Sequence, residues 1–311
     1  MKFGFGVDLG GTTVKLAYFD EAGTMLHKWE IPTNTSEGGK HILPDIAKAV
    51  LKYMEENNIS REDILGVGIG VPGSVNNQGI VAGCDNLGWG RFSVKDALKP
   101  LLGMKVVAGN DATVAALGEC WKGGGQGYKS MVLVTLGTGV GGGIILDGKP
   151  LHGTTGAAGE IGHMVLNRHE TAVCGCGKSG CVEQYCSATG IARLTRLALV
   201  ESDAPSSLRA VEKIMAKDVF DAANSGDTLA QGVLEQVYAY MGEFIANICC
   251  VVNPEVVVLG GGVSRAGEPL LEGLRKSFQK WGYHACQDTK FALATLGNDA
   301  GAYGAFKLVA E

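Results

Sequence analysis

No apolar run in this chain reaches the roughly 18 residues that a membrane span needs. Basic charge is not in excess either. With 27 lysines and arginines against 32 aspartates and glutamates, the formal charge is -5 and the pI near 5.7, which leaves no basic footprint for nucleic acid. No basic and apolar leader precedes the first strand-like residues, so no secretory signal is expected. A paired disulfide framework is missing too. The nine cysteines are odd in number, and Cys249 and Cys250 are adjacent in a helical pattern. A reducing cytoplasm, with neither membrane nor nucleic acid as partner, fits these absences.

Glycine, by contrast, is plentiful. The 48 glycines are about 15% of the 311 residues, twice the usual ~7%. They follow no collagen period, so they are expected in functional turns and loops. The length suits one large domain or two medium ones.

Phe3–Leu9, Val14–Phe19 and Met25–Ile31 read as strands, with Asp8-Leu9-Gly10-Gly11-Thr12-Thr13 between the first two. Consecutive glycines there expose backbone N–H groups, and the threonines add hydroxyls. Such a turn can cradle phosphate oxygens, although it is not a Walker A loop and a plain hairpin turn has the same look. Ile42, Ile46, Val50, Leu51 and Met54 keep helical spacing, and Ile64–Val71 reads as a buried strand stopped by Pro72-Gly73. In the loop after it, Asn86 beside Trp89 suits a sugar site, or equally a loop anchored by its Trp. Lys105–Gly109 forms a short strand running into Asn110-Asp111 and a helix over Thr113–Trp121. An Asp at a strand's carboxyl end lies where α/β folds place ligands, and it is also a favoured helix N-cap.

Met131–Leu136 opens a second glycine hairpin, Gly137 to Gly143, before a strand at Ile144–Leu146. Residues 7–20 laid over 134–147 share four of fourteen positions, a weak repeat of strand, glycine–threonine turn, strand. Two such hairpins could close on one phosphate chain. Helices follow the central region, the longest from about Thr228 to Asn253-Pro254. Then come a strand at Glu255–Leu259 feeding Gly260-Gly261-Gly262, a helix at Leu270–Trp281, a strand at Phe291–Leu296 and a closing helix at Ala300–Val309. The repeated theme argues two similar α/β domains around a cleft.

The chain's centre is Gly153–Glu183, which ends in Cys174-x-Cys176-x4-Cys181 with glycines between. Thiolates are soft ligands, and zinc takes four donors tetrahedrally in closed structural sites. Three cysteines cannot pair among themselves, so zinc is the stronger reading over a loop of reduced thiols. His163 is the expected fourth ligand, with His169 as the alternative. Glu160 and Glu183 flank the cluster, either as hydroxyl acceptors for a polyol or as solvated surface groups.

These motifs together resemble the ROK family (repressors, open reading frames, kinases) of the actin-like ATPase and hexokinase superfamily, over essentially the full length. DLGGTT resembles its first phosphate motif, TLGTGVGGG its second, Gly260-Gly261-Gly262 its adenosine-side loop, and GNDA at Gly109–Ala112 the motif with its catalytic Asp. EIGH followed by CGCGKSGCVE is its most specific signature. Within the family, the chain looks most like the bacterial ATP-dependent glucokinases.

The resemblance implies an α/β, two-domain actin-like ATPase/hexokinase (ribonuclease H-like) fold with the active site in the interdomain cleft. Residues 1–111 would form the first domain and 112–299 the second, with a closing helix near 300–311 packed back on the first. It implies transfer of the ATP γ-phosphoryl group to the 6-hydroxyl of glucose, with Asp111 as general base. Gly73, Asn86, Asn110, Asp111, Glu160, His163 and Glu183 would bind the sugar. Asp8, Gly10, Gly11, Thr12, Thr13, Thr138, Gly139, Gly260, Gly261 and Gly262 would bind the nucleotide, with Asp8 engaging Mg2+ through water. Structural Zn2+ would be held by His163, Cys174, Cys176 and Cys181. The ten residues between His163 and Cys174 make a slightly longer gap than in some relatives, which keeps His169 open.

Other readings remain. The sugar could be N-acetylglucosamine, N-acetylmannosamine, allose or fructose. Family repressors carry a helix-turn-helix region before the first phosphate motif, and here Asp8 leaves no room for one. Polyphosphate-dependent glucokinases lack the cysteine loop. A homodimer or homotetramer is expected from the resemblance and from the helix at Thr228–Val252. Its Val237, Tyr240, Met241, Phe244, Ile245 and Ile248 exceed one buried stripe, unless they are buried within one subunit.

Overall fold

Strands rich in Val, Ile and Gly, apolar on both faces, are what a covered parallel sheet requires. In the computed structural model, which describes residues 1–310, such strands form the parallel part of two mixed sheets. The first is built from β1 (Phe3–Leu9), β2 (Thr13–Asp20), β3 (Met25–Pro32), β4 (Ile64–Val71) and β5 (Val106–Asn110), in the order β3-β2-β1-β4-β5. The hairpin pairs are antiparallel, and β4 and β5 join in parallel. The second repeats that order with β6 (Met131–Leu136), β7 (Val140–Leu146), β8 (Lys149–Pro150), β9 (Val256–Gly260) and β10 (Lys290–Leu293), as β8-β7-β6-β9-β10. The weak sequence repeat therefore marks a full repeat of strand order.

Helices supply the crossovers: α1 (Ile42–Glu56), α2 (Val94–Leu102) and α3 (Asp111–Lys122) in the first half, α4 (Ala188–Glu201), α5 (Ala216–Asn224), α6 (Thr228–Val252) and α7 (Glu268–Trp281) in the second. The chain closes on α8 (Ala300–Ala310). Contacts divide it into two units. One holds residues 1–129 and 143–159 and the C-terminal segment from Leu296; the other holds 130–142 and 160–295. The expected boundary at residue 111 is thus displaced. Helix α3 belongs with the first unit, and β7 passes from one unit to the other after Gly142.

Not all the glycine lies in functional turns. An added Cβ at Gly6 or Gly68 would overlap a backbone carbonyl of α8, at Ala302 and Ala305 respectively, and one at Gly304 would overlap that of Val114 in α3. Bare backbone on β1 and β4 is what lets α8 lie so close. Phe306 of α8 then stacks on Phe19 at 4.8 Å between ring centroids. Gly141–Gly143, expected in the second turn, are strand residues of β7. A Cβ on Gly143 would meet Ala116 and the Ala112 carbonyl, so the glycine there is selected by helix packing.

Helix α6 buries its apolar face within its own unit and leaves Gln231, Glu235, Gln236 and Asn247 exposed on another. Val237, Met241, Phe244, Ile245 and Ile248 are all buried within their own unit, and half-buried Tyr240 packs on Tyr185 at 4.6 Å. Burial within one subunit accounts for them, so this helix does not argue for a dimer. Among the described residues, no helix is long and apolar enough to cross a membrane.

Candidate active site

In the first unit, β5 delivers Asn110 and Asp111 to the start of α3. The helix cap is Asn110, not Asp111: its Oδ1 accepts from Thr113 N–H at 2.9 Å. Its amide donates to the Gly73 carbonyl at 3.0 Å and to Asp111 Oδ1 at 2.9 Å. Ala112 N–H also donates to Asp111 Oδ1, at 2.8 Å. The Asp111 carboxylate is therefore aimed by two N–H donors at the positive end of a helix, where negative charge is favoured. The cap interpretation of Asp111 falls, since its neighbour does that work.

Gly73 has φ +87, and a Cβ there would come within 2.7 Å of the Gly83 carbonyl. The next residue, Cys84, exchanges backbone hydrogen bonds with Trp89 at 2.9 and 3.0 Å, closing a loop that leaves Asn86 exposed. The first unit thus brings Gly73, Asn110 and Asp111 together and hangs Asn86 from the same turn. Trp89 is only 7% exposed, and its indole N–H donates to the Gly39 carbonyl at 3.2 Å. It anchors the loop and does not offer a face to a sugar.

The turn Gly10–Thr12 links β1 to β2, with Gly10 N–H donating to the Thr13 carbonyl at 3.0 Å. Asp8 lies just before it, 3.4 Å from Lys15 Nζ on the paired strand. Burial raises the Asp8 pKa, against the attraction of Lys15. Gly301 of α8 abuts this carboxylate, since a Cβ there would come within 2.6 Å of its Cγ.

In the second unit, the turn is shorter than expected, Gly137–Gly139, closed by Gly137 N–H to the Gly139 carbonyl at 3.0 Å. Gly261, at φ +82, packs against Leu136, just before that turn, because β9 pairs with β6. The Gly260–Gly262 loop thus lies beside the end of β6, from which the turn with Thr138 and Gly139 leaves. Glu160 is exposed at the head of the short turn Ile161–His163.

His163, Cys174, Cys176 and Cys181 each turn one donor atom toward a common point, all within 4.8 Å of one another. Cys174 Sγ is 3.8 Å from His163 Nδ1, and Cys176 Sγ is 3.6 Å from Cys181 Sγ. His169 stands outside this group, exposed, with its backbone N–H donating to Asn167 Oδ1. Burial pushes the Cys174 thiol up and the Cys181 thiol to about 12, while the backbone N–H of Lys178 lowers Cys176. Glu183 Oε2 accepts from Val140 N–H at 3.0 Å, and its Oε1 lies 3.7 Å from Cys174 Sγ.

The ROK family profile matches residues 4–311. The chain belongs to the ROK family. Its relatives include the glucokinase of Halalkalibacterium halodurans, 44% identical over 98% of this chain and 94% of that one. Among solved structures, it matches a ROK family glucokinase from Streptomyces griseus, in complex with glucose and AMPPNP. The TM-score is 0.76 at 34% identity, over 98% of both chains. A ROK hexokinase from Thermus thermophilus superposes with a TM-score of 0.80 at 31% identity, covering 98% of this chain and 96% of that one. The α/β fold of the actin-like ATPase and hexokinase superfamily is therefore this ROK protein's fold.

Several site-supporting groups escaped the sequence reading. Glu170 accepts from Tyr185 Oη at 2.7 Å and Arg193 Nη2 at 2.9 Å. Ser187 caps α4, and Thr189 donates to the Thr138 carbonyl at 2.8 Å. Only Ser187, a cap residue just before a helical pattern, carried a local signal.

Proposed function

We propose that this ROK protein is an ATP-dependent kinase that phosphorylates the 6-hydroxyl of glucose. Its likeness to named glucokinases over nearly the full chain supports the reaction. The observation that carries the site is the convergence of His163, Cys174, Cys176 and Cys181 within 4.8 Å beside Glu183.

Asp111 would accept the 6-hydroxyl proton as that oxygen attacks the γ-phosphorus in line. Two N–H donors on one of its oxygens hold the carboxylate's direction, and positioning supplies much of the rate in phosphoryl transfer. Gly73, Asn86, Asn110, Glu160, His163 and Glu183 would bind the sugar hydroxyls. The glycine turns Gly10–Thr13 and Thr138–Gly139 would offer N–H and hydroxyl donors to the phosphates, with Gly260–Gly262 on the adenosine side. Mg2+ supplies charge neutralisation at the phosphates, and Asp8 is the residue that would engage it.

The donor set fits zinc. A zinc tetrahedron with Zn–S bonds of about 2.3 Å and a Zn–N bond of about 2.0 Å has S–S edges of about 3.8 Å and S–N edges of about 3.6 Å. The Cys176 and Cys181 sulfurs are 3.6 Å apart, Cys174 Sγ is 3.8 Å from His163 Nδ1, and all four donors lie within 4.8 Å. Thiols pushed up by burial need a cation to ionise side by side. With Nδ1 turned to the metal, Nε2 of His163 would face the sugar. A metal-bound thiolate has no proton to donate, which would leave Glu183 Oε1 as an acceptor for a sugar hydroxyl.

Homodimerisation rests on family resemblance alone, and a monomeric mass by light scattering would remove it. The function is tested by ADP release over a hexose panel. Glucose should be turned over with the highest kcat/KM. A higher value for N-acetylglucosamine, N-acetylmannosamine, allose or fructose would reassign the substrate, and no ADP release with any of them would end the kinase reading.

A further inference from the structure

Val140 lies where two elements with different proposed tasks meet. Its N–H donates to Glu183 Oε2 at 3.0 Å. Its carbonyl faces the Glu160–His163 turn so closely that a Cβ on Gly162 would overlap it. The preceding residue, Gly139, belongs to the second glycine turn, and a Cβ there would overlap Glu183 Oε2. The same segment grips that turn from behind. Ala188 N–H donates to the Gly137 carbonyl at 2.8 Å, and the Thr189 hydroxyl to the Thr138 carbonyl at 2.8 Å. The Ser187 hydroxyl donates to the Glu183 carbonyl at 2.6 Å and lies 3.0 Å from that of Thr189.

We infer that Glu183 is a coupling residue, through which binding of the hexose and binding of the nucleotide phosphates strengthen each other. This rests on the hexose kinase reading and deepens it. One carboxylate oxygen is held by the backbone at the phosphate turn, in a charge-assisted hydrogen bond. The other points toward the cysteine loop. A ligand that fixes either end fixes the rotamer the other end needs, and the ordering of a long side chain is then met once for two ligands. Linkage makes the effect reciprocal.

The test crosses the two sites, using the full-length protein with its metal content measured. Gly139 is not among the glycines with positive φ, so Ala is allowed by the backbone there and displaces only the far end of Glu183. Gly139→Ala should weaken glucose binding by about tenfold with no nucleotide present, the loss expected for a hydrogen bond to a charged group. Glu183→Ala should weaken AMPPNP binding by about fivefold with no sugar present. In the wild type, saturating glucose should tighten AMPPNP by about fivefold or more, in the usual range for coupled sites, and both variants should bring that ratio near one. If Gly139→Ala leaves the glucose Kd within twofold, or Glu183→Ala leaves the AMPPNP Kd within twofold, at wild-type metal content, the coupling is overturned. A wild type that binds AMPPNP but neither binds nor phosphorylates any hexose would instead remove the kinase reading beneath it.

Discussion

The two glycine turns occupy the same place in two sheets of the same strand order, yet they are held by different parts of the chain. The first is tied within its own sheet. Thr33, just past β3, donates its N–H to the Thr12 carbonyl at 2.9 Å and its hydroxyl to the Gly10 carbonyl at 2.7 Å. The second is tied by residues 183–190, which belong to the long segment between β8 and β9. In the first half, residues 33–63 make the corresponding connection with little more than α1; in the second, residues 151–255 carry the cysteine cluster, Glu160, Glu183 and three long helices. The repeated scaffold supplies a turn fit for phosphate in each half. The insertion on one copy brings the proposed sugar-binding Glu160, His163 and Glu183, beside those proposed in the first unit, and it also supplies the support of its own turn.

If that division holds, substitutions in the first unit's Asp111 should act on kcat, and those in the insertion on hexose affinity. The largest effect belongs to Asp111→Asn. Asn keeps the hydrogen bond from Ala112 N–H but cannot take a proton, so kcat should fall by roughly 10²–10⁴-fold. The glucose Kd should change by on the order of tenfold or less, and stability by about 1 kcal/mol or less, since Asn110 remains as the cap. Wild-type turnover in this variant would leave the mechanism without its base, and Glu160 would be examined next.

Cys176→Ser sharpens the other side of the comparison. Cys176 is the exposed member of the cluster, so its hydroxyl replacement disturbs little packing while removing one donor. Metal content and glucose affinity should fall together, the latter by about tenfold or more, in the range seen when groups orienting a metal site are lost. The ATP KM should change less. Full zinc occupancy, or unchanged glucose affinity without zinc, would refute the ligand assignment.

The scaffold was legible in the sequence where local signals agreed. Strands Phe3–Leu9, Ile64–Val71 and Met131–Leu136 fall at the residues where apolar runs meet glycine or proline. Legibility failed where packing overrode a local habit. Gly141–Gly143 look like a turn but are strand residues, and at Gly143 it is the closeness of α3, not a turn, that calls for glycine. Asp111 looks like a cap, but the residue before it is an equally good one and its chain direction is the right one for the bond. Trp89 looks like a sugar platform until its indole is found under Gly39, fifty residues away in the chain. The cysteine cluster was legible because its three thiols crowd a short stretch. Glu170, Tyr185 and Arg193 were not, since nothing in their spacing distinguishes a half-buried ion pair from three surface groups.

That ion pair provides the smallest and most local test. Glu170 Oε1 accepts from Thr171 and Ala172 N–H at 3.0 and 2.9 Å, and Oε2 from Tyr185 and Arg193. Arg193 also lies over the Tyr185 ring at 5.2 Å and donates to the Gln184 carbonyl at 3.3 Å. These bonds fasten the approach to Cys174 to the residues after Glu183. The N–H of Ala172, the Tyr185 hydroxyl and the Arg193 guanidinium together lower the Glu170 pKa to about 2. A depressed carboxylate pKa adds stability above the unfolded value, and that stability is lost as pH falls through the folded one. The window is thus from about pH 4.5 down to about 2, and the contribution is at most about 3.5 kcal/mol before solvent screening, which lowers it. Glu170→Gln removes the titrating group, so in that window its stability should depend on pH less steeply than the wild type's. Near pH 7 it should melt at a lower temperature, with glucose KM raised about two- to threefold and kcat unchanged, because one acceptor for Tyr185 and Arg193 has become a donor. Hydrogen exchange should quicken in residues 166–186 and at the Gly137–Gly139 turn that residues 183–190 support, and not around Gly10–Thr13, whose support comes from Thr33. Equal quickening at both turns would mean that the insertion does not support its own turn independently, and the contrast drawn between the two halves would fail.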